Sequence, residues 1–169
     1  MLDLPPLAGR MSTSLTHISE DGRPSMVDVG HKPMTPRMAR AEGWVRMAPE
    51  ALDAITERRV KKGDVLAIAE LAGIQGAKRT ADLIPLCHPL PVDAVSVSVE
   101  RVGDAIRIEA QVSACWRTGV EMEALSAVSA AALTVHDMTK AIDKGICIDG
   151  VRLLEKRGGK SGDWTAPNR

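Results

Sequence analysis

VSVSVERVGDAIRIEAQVS, residues 95–113, alternates apolar and polar side chains on both sides of a glycine. Val95, Val97 and Val99 interleave with Ser96, Ser98 and Glu100, and Ile106, Ile108, Ala110 and Val112 interleave with Arg107, Glu109, Gln111 and Ser113. A period of two sends alternate side chains to opposite faces of a strand. Gly103-Asp104 between the two runs suits the positive φ of a tight hairpin turn. The stretch therefore predicts two antiparallel strands with one buried face, and the rest of the chain must supply the layer that buries it.

Working outward, a long helix is expected from about Val120 to Ile142. A last strand follows from Ile146 to about Lys156, with Gly150 placed for a bulge. Upstream, MVDV at Met26–Val29 reads as a short strand. The run from Met38 to Met47 sets Ala39, Ala41, Val45 and Met47 against Arg40, Glu42, Trp44 and Arg46. Pro49 opens a helix to about Arg59 with Leu52 and Ile55 facing in, and Asp64 caps a second helix that must stop before Pro85. The order β, β, α, α, β, β, α, β contains the split β-α-β arrangement of a ferredoxin-like domain. The expected fold class is α+β, a ferredoxin-like antiparallel sheet packed against helices. In the second helix Ala69, Ala72, Gly73 and Gly76 form a stripe almost without side chains, which predicts another backbone packed closely on it.

With 169 residues and 44% hydrophobic content the chain suits one core. A single domain over residues 15–164 is expected between a tail at 1–14 and another at 165–169. A net charge of zero excludes a global field for nucleic acid or an anionic membrane, so any anion must meet a local basic cluster. Cys87, Cys115 and Cys147 are odd in number and widely spaced, as in a reducing cytoplasm. No secretory signal is read at the start, and ALSAVSAAALTV, residues 124–135, falls short of the roughly 18 apolar residues that span a bilayer. A soluble, cytoplasmic protein is expected.

DLIPLCHPLP, Asp82–Pro91, holds a cysteine and a histidine between prolines. Three uses compete: metal ligands, a nucleophile with its base, or a stiff wall that aims His88 at a small molecule. Zinc wants three or four ligands at workable spacing, and His17, His31 and His136 are scattered singly. A cysteine nucleophile would want a base and an oxyanion hole, which the sequence does not suggest. The wall, with His88 giving or taking a proton, fits best.

TGVE at Thr118–Glu121 fits a capping box, which gives Glu121 a structural role. Glu123 lies about 200° farther round the helix, so the two carboxylates are not expected to act as a pair. Asp137 and Lys140, three apart, form at least a surface ion pair. RGGKSG at Arg157–Gly162 is no phosphate loop, since that motif would need glycine where Leu154 stands, yet its basic cluster is able to touch phosphate.

The run AGIQGAKRTADLIPLCHPLP, with KGD at Lys62–Asp64, TGVEMEAL at Thr118–Leu125, HDMTKA around Asp137 and VRLLEKRGGKSGDW at the end, resembles the cyclic pyranopterin monophosphate synthase family of molybdenum cofactor biosynthesis. The likeness runs in order from about Leu15 to Trp164, which makes 15–164 one catalytic domain. It implies a lyase that takes a 3',8-cyclised dihydroguanosine triphosphate to cyclic pyranopterin monophosphate and pyrophosphate. No cofactor and no resident metal are implied, although a divalent cation could accompany the triphosphate. Asp137 carries over as the assigned active-site residue, with Lys140 beside it and Lys62 as a further catalytic residue. Leu86, Cys87, His88, Met122 and Glu123 carry over as substrate contacts.

Arg37 and Lys62 carry over as site residues too, and the triphosphate asks for Arg37, Lys62, Lys140 and Lys156. Ring opening and recyclisation ask for groups that give and take protons, here Lys62 and Lys140, one with its pKa lowered by nearby cations and oriented by Asp137. The family's homohexameric, trimer-of-dimers habit implies pockets shared between subunits, because Glu123 and Asp137 lie about 21 Å apart on one helix. Departures from the family pattern are His136 for a frequent tyrosine, Thr139 for cysteine and Arg117 for lysine. A regulatory module that binds a small ligand without turnover is the other reading. An RNA reader is disfavoured, because the chain has no Phe or Tyr to stack bases.

Overall fold

A computed structural model describes residues 22–167. The elements are β1 (Thr35–Arg46), α1 (Pro49–Thr56), α2 (Val65–Lys78), α3 (Thr80–Leu83), β2 (Ala94–Val102), β3 (Ala105–Trp116), α4 (Glu121–Thr139), β4 (Cys147–Arg157) and β5 (Trp164–Thr165). The sequence expectations about the tail at residues 1–14 and about His17 lie outside the described residues.

The strands form one antiparallel sheet in the order β2-β3-β1-β4-β5. Without β5 this is the ferredoxin-like order, so the α+β expectation holds. The hairpin closes as its alternation requires: Val102 pairs with Ala105 across the two turn residues, and Gly103 adopts φ +60°. Ile106, Ile108, Ala110 and Val112 on β3 and Ala39, Ala41 and Val45 on β1 are fully buried, as are Ala124, Ala127, Val128, Ala131 and Val135 on α4. These residues fuse the sheet and the helix layer into one core. Gly43 on β1 admits α4, since a Cβ there would lie 2.7 Å from a methyl of Val128.

The small-residue stripe of α2 meets α4 of the same chain. A Cβ on Gly76 would stand 2.6 Å from the Ala130 Cβ and 2.8 Å from the Ser126 carbonyl oxygen. Close helix approach is thus the reason for the glycines, and the stripe is spent within the subunit. The opposite sheet face carries Glu42, only 6% exposed, between Arg107 (2.9 Å) and Arg152 (2.7 Å). Both arginines bind it with two nitrogens, and the two forks outweigh its desolvation and hold its pKa below the usual carboxylate value.

Several local expectations need correction. Met26–Val29 is not a strand: Val27 and Val29 line a cavity together with the Leu86–His88 segment and the start of α4. The first helix stops at Thr56 because Arg58 takes φ +55° and the Arg59 N–H bonds to the Ala54 carbonyl at 2.9 Å. The second helix breaks at Arg79, and α3 is a separate turn. Thr118 and Glu121 form no capping box, for the N-cap of α4 is Val120, no side chain caps the helix, and the Thr118 hydroxyl turns to the Gly119 carbonyl. At the end, Thr165 pairs with Glu155, so the sheet reaches one residue into the stretch read as a tail. Gly150 does sit at a bulge, with φ +61° and a register shift of β4 against β1.

Candidate functional site

The residues expected to carry chemistry gather at the two ends of α4. At its start, the Leu86-Cys87-His88 segment leaves α3 through a turn in which the Cys87 N–H bonds to the Ile84 carbonyl at 3.0 Å. Together with Met122 and Glu123 it walls a cavity of about 320 Å³ that Val27 and Glu121 also line. His88 Nε2 lies 2.8 Å from the Val27 carbonyl oxygen. A carbonyl only accepts, so Nε2 carries the proton and donates.

Glu123 is 4% exposed, and burial, followed by the nearby Glu121 carboxylate, raises its pKa to about 7. Burial and the Glu123 charge likewise push the Cys87 thiol up, which disfavours the thiolate that a nucleophile would need. Among the described residues no three His, Cys, Asp or Glu side chains gather as a metal site. The Pro-flanked Cys-His pair forms one wall of this cavity, with His88 held by its donation to the Val27 carbonyl.

Glu121 corrects the expectation that the two glutamates cannot share a face. As the first residue of α4 it folds back over Gly119, where a Cβ would lie 1.8 Å from its Oε2. Its carboxylate thereby lines the same cavity as Glu123 and ion-pairs with Lys156 Nζ at 3.4 Å, and Lys156 also donates to the Ser161 hydroxyl at 2.8 Å. Lys156 is thus at this end of the helix. Arg37 is close by, in a larger cavity of about 1030 Å³ that shares Lys32, Thr118 and Gly119 with the first.

At the other end of α4 three residues converge. Lys62, in the turn before the cap residue Asp64, places Nζ 2.8 Å from Asp137 Oδ2 and 2.7 Å from the Asp137 carbonyl oxygen. Lys140, the C-cap of α4, places Nζ 2.6 Å from Asp137 Oδ1. Each lysine holds one carboxylate oxygen, and both suit the negative end of the helix dipole. Lys140 first and then Lys62 push the Asp137 pKa down to about 2, so it stays ionised at every ordinary pH. Lys62 borders an open cavity of about 730 Å³ with Arg59, Asp53 and Met138.

The structure therefore brings Lys62, Asp137 and Lys140 together, and separately Leu86, Cys87, His88, Met122 and Glu123 with Lys156 and Arg37 nearby. It does not bring the two groups together within one chain. α4 runs its 19 residues without a break, which keeps Glu123 and Asp137 about 21 Å apart along the axis. Sequence reasoning missed Lys32, Arg117, Thr118 and Val27 as cavity walls. Arg117 and Thr118 flank the loop into α4, and the family motif at Thr118 with the departure at Arg117 was the available signal.

Comparison with known proteins places the chain in a family. The profile of the MoaC family matches residues 26–159, and the chain belongs to that family. A cyclic pyranopterin monophosphate synthase of Novosphingobium aromaticivorans is 57% identical over 152 residues, covering 90% of this chain and 97% of its own length. One from Corynebacterium efficiens is 54% identical over 153 residues, 90% of this chain and 99% of its own. A molybdenum cofactor biosynthesis bifunctional protein of Synechococcus elongatus is 55% identical over 144 residues, 84% of this chain and 45% of its own. No helix among the described residues is long and apolar enough to cross a membrane.

Proposed function

We propose that the chain is a lyase of molybdenum cofactor biosynthesis that converts (8S)-3',8-cyclo-7,8-dihydroguanosine 5'-triphosphate to cyclic pyranopterin monophosphate and pyrophosphate. The observation that carries the reading is the Lys62–Asp137–Lys140 cluster, in which two ammonium groups from separate parts of the chain are fixed on one carboxylate. Opening one ring and closing another requires protons to be given and taken at defined atoms. Lys62 and Lys140 are the acid/base pair, and Asp137 orients both. His88, Cys87, Leu86, Met122 and Glu123 receive the ring system, which suits a small cavity with apolar walls and two groups able to exchange protons. Arg37 and Lys156 attend the triphosphate.

One small substrate does not reach from Glu123 to Asp137 of the same chain. The complete pocket is therefore built from two subunits, in a homohexamer arranged as a trimer of dimers, working in a reducing cytoplasm. The chemistry calls for no redox cofactor, and a divalent cation could accompany the triphosphate. The test is product analysis after incubation with the cyclised GTP intermediate. Release of pyrophosphate with the cyclic pyranopterin is expected; tight binding without product would overturn the assignment in favour of a ligand-binding module.

A further inference from the structure

Glu123 and His88 each belong to two cavities. In front is the ring pocket of about 320 Å³; behind, between the end of α2, α3 and the Pro89-Leu90 segment, lies a smaller one of about 110 Å³. Leu90 is the third residue common to both. The rear cavity sits at the break between α2 and α3, where the Thr80 hydroxyl donates to the Ala77 carbonyl at 3.0 Å. Lys78, Arg79 and Asp82 line it and are exposed, so it opens on solvent. A nearly buried carboxyl thus stands between the place where a substrate would lie and an independent way out.

We propose that Glu123 carries protons between the two cavities: it takes a proton from the substrate in front and releases it to bulk water through the rear cavity, with Asp82 at the exit. The proposal rests on the function proposed above only for the source of the proton. A ring system seated in the front cavity closes that side, and Glu123 is itself only 4% exposed. The rear cavity has room for a short chain of water molecules, each of which needs about 30 Å³. In the first transfer an O–H bond forms on the Glu123 carboxylate as the bond from that proton to the substrate breaks. The new O–H bond then breaks toward the nearest rear water, which passes one of its own protons to the next. The last proton is taken by Asp82, which gives it to bulk water, so the carboxylate is restored and the protein gains no net charge.

The groups along this path suit the task. With His88 Nε2 donating to the Val27 carbonyl, Nδ1 is left as an acceptor, and the Thr80 hydroxyl, its proton engaged by Ala77, still offers lone pairs. The ionisable groups around Glu123 are Glu121, itself paired with Lys156, and Cys87 in front, and Lys78, Arg79 and Asp82 behind. Burial first, and Glu121 after it, raise the Glu123 pKa to about 7, where a carboxyl both binds and loses a proton readily. Burial pushes the Cys87 thiol up, which leaves Glu123 as the carrier of the pair.

The test fills the rear cavity and leaves the front one alone. Ala81 lines only the rear cavity. In Ala81→Leu kcat is expected to fall at least about tenfold with KM unchanged, and the solvent deuterium isotope effect on kcat to rise, because proton exit becomes rate-limiting. A readout independent of turnover is the Glu123 carboxyl band in infrared titration of the full chain, assigned by its loss in Glu123→Gln. Its midpoint should move to higher pH in Ala81→Leu as the water that solvates the carboxylate is displaced. Ala81→Ser, which keeps the cavity open, and Leu83→Gln, at an exposed position of α3 outside it, should behave as the parent does. Should Ala81→Leu fail to fold, Asp82→Asn at the exit is expected to lower kcat by a smaller factor, again with a raised isotope effect. Parent-like kcat and isotope effect in folded Ala81→Leu or in Asp82→Asn would overturn the passage, and so would a raised KM with an unchanged isotope effect, which reports a distorted ring pocket. Product from the parent together with those results removes the passage and leaves the proposed reaction. A shifted Glu123 midpoint in Ala81→Leu without product from the parent leaves the passage and removes the reaction.

Discussion

The two ends of α4 treat a carboxylate in opposite ways. Glu123, on the first turn, is 4% exposed, and its pKa rises to about 7. The Asp137 side chain, on the last turn, is 57% exposed, and two lysines lower its pKa to about 2. One end offers a group that exchanges a proton near neutrality, and the other a permanent charge that fixes two ammonium groups. The difference teaches that the two carboxylates, spaced along one helix, are tuned by burial at one end and by pairing at the other, and not by residue type.

The strongest attack on this comparison is Lys62→Ala. Loss of a positioned acid/base group should lower product formation at least about a hundredfold while assembly, measured by size-exclusion chromatography with light scattering, is unchanged. Near-normal turnover would reduce the far end of α4 to a surface ion cluster. Subunit mixing tests the division itself. Glu123→Ala and Asp137→Ala should each be nearly inactive, and after exchange between equal amounts about a quarter of the pockets should regain both residues if each pocket draws on two subunits. Flat activity despite exchange confirmed by mass spectrometry would show that each chain holds its site alone.

Glu123 also sharpens the comparison through pH. A carboxyl whose folded pKa is raised from 4.5 to about 7 keeps its proton in the folded state after the unfolded chain has lost it. The unfolded state then binds fewer protons, so this group makes stability fall as pH rises from about 4.5 to about 7, with no further effect above. Glu123→Gln should flatten urea-denaturation midpoints across that window. A slope equal to the parent's would place its origin elsewhere. A smaller effect is expected from Gly76→Val, where overpacking against Ala130 and Ser126 should cost about 1–3 kcal/mol in denaturant titration. The smallest is removal of residues 1–13, which should leave activity and assembly as they are.

The fold was legible where a local period dictated it. The hairpin at 95–113, Gly150 as a bulge and the glycine stripe of α2 all follow from spacing, because each reports which side must be buried or which backbone must come close. Met26–Val29 misled because a short segment with Val27 and Val29 alternating about Asp28 suits a cavity wall as well as a strand. The capping-box motif at Thr118–Glu121 misled for a related reason: the Glu121 carboxylate turned to Lys156 and to the cavity instead of the helix N-terminus. The convergence of Lys62 on Asp137 joins residues 75 positions apart and has no local signature. It was reached through the family resemblance, not through periodicity.

The place of β1 at the centre of the sheet has a consequence for how the chain comes to be folded. Arg46 on β1 reaches its partner Asp149 across 103 positions, and Glu42 reaches Arg152 across 110. On the ribosome β1 emerges early and must wait with both edges unsatisfied until β3 and then β4 are made. The β2–β3 hairpin, whose contacts are local, is free to form in the meantime and offers β3 as the first template for β1. Such a topology closes late and from the middle outward, so until β3 and β4 are made the central strand has two edges open to wrong pairing.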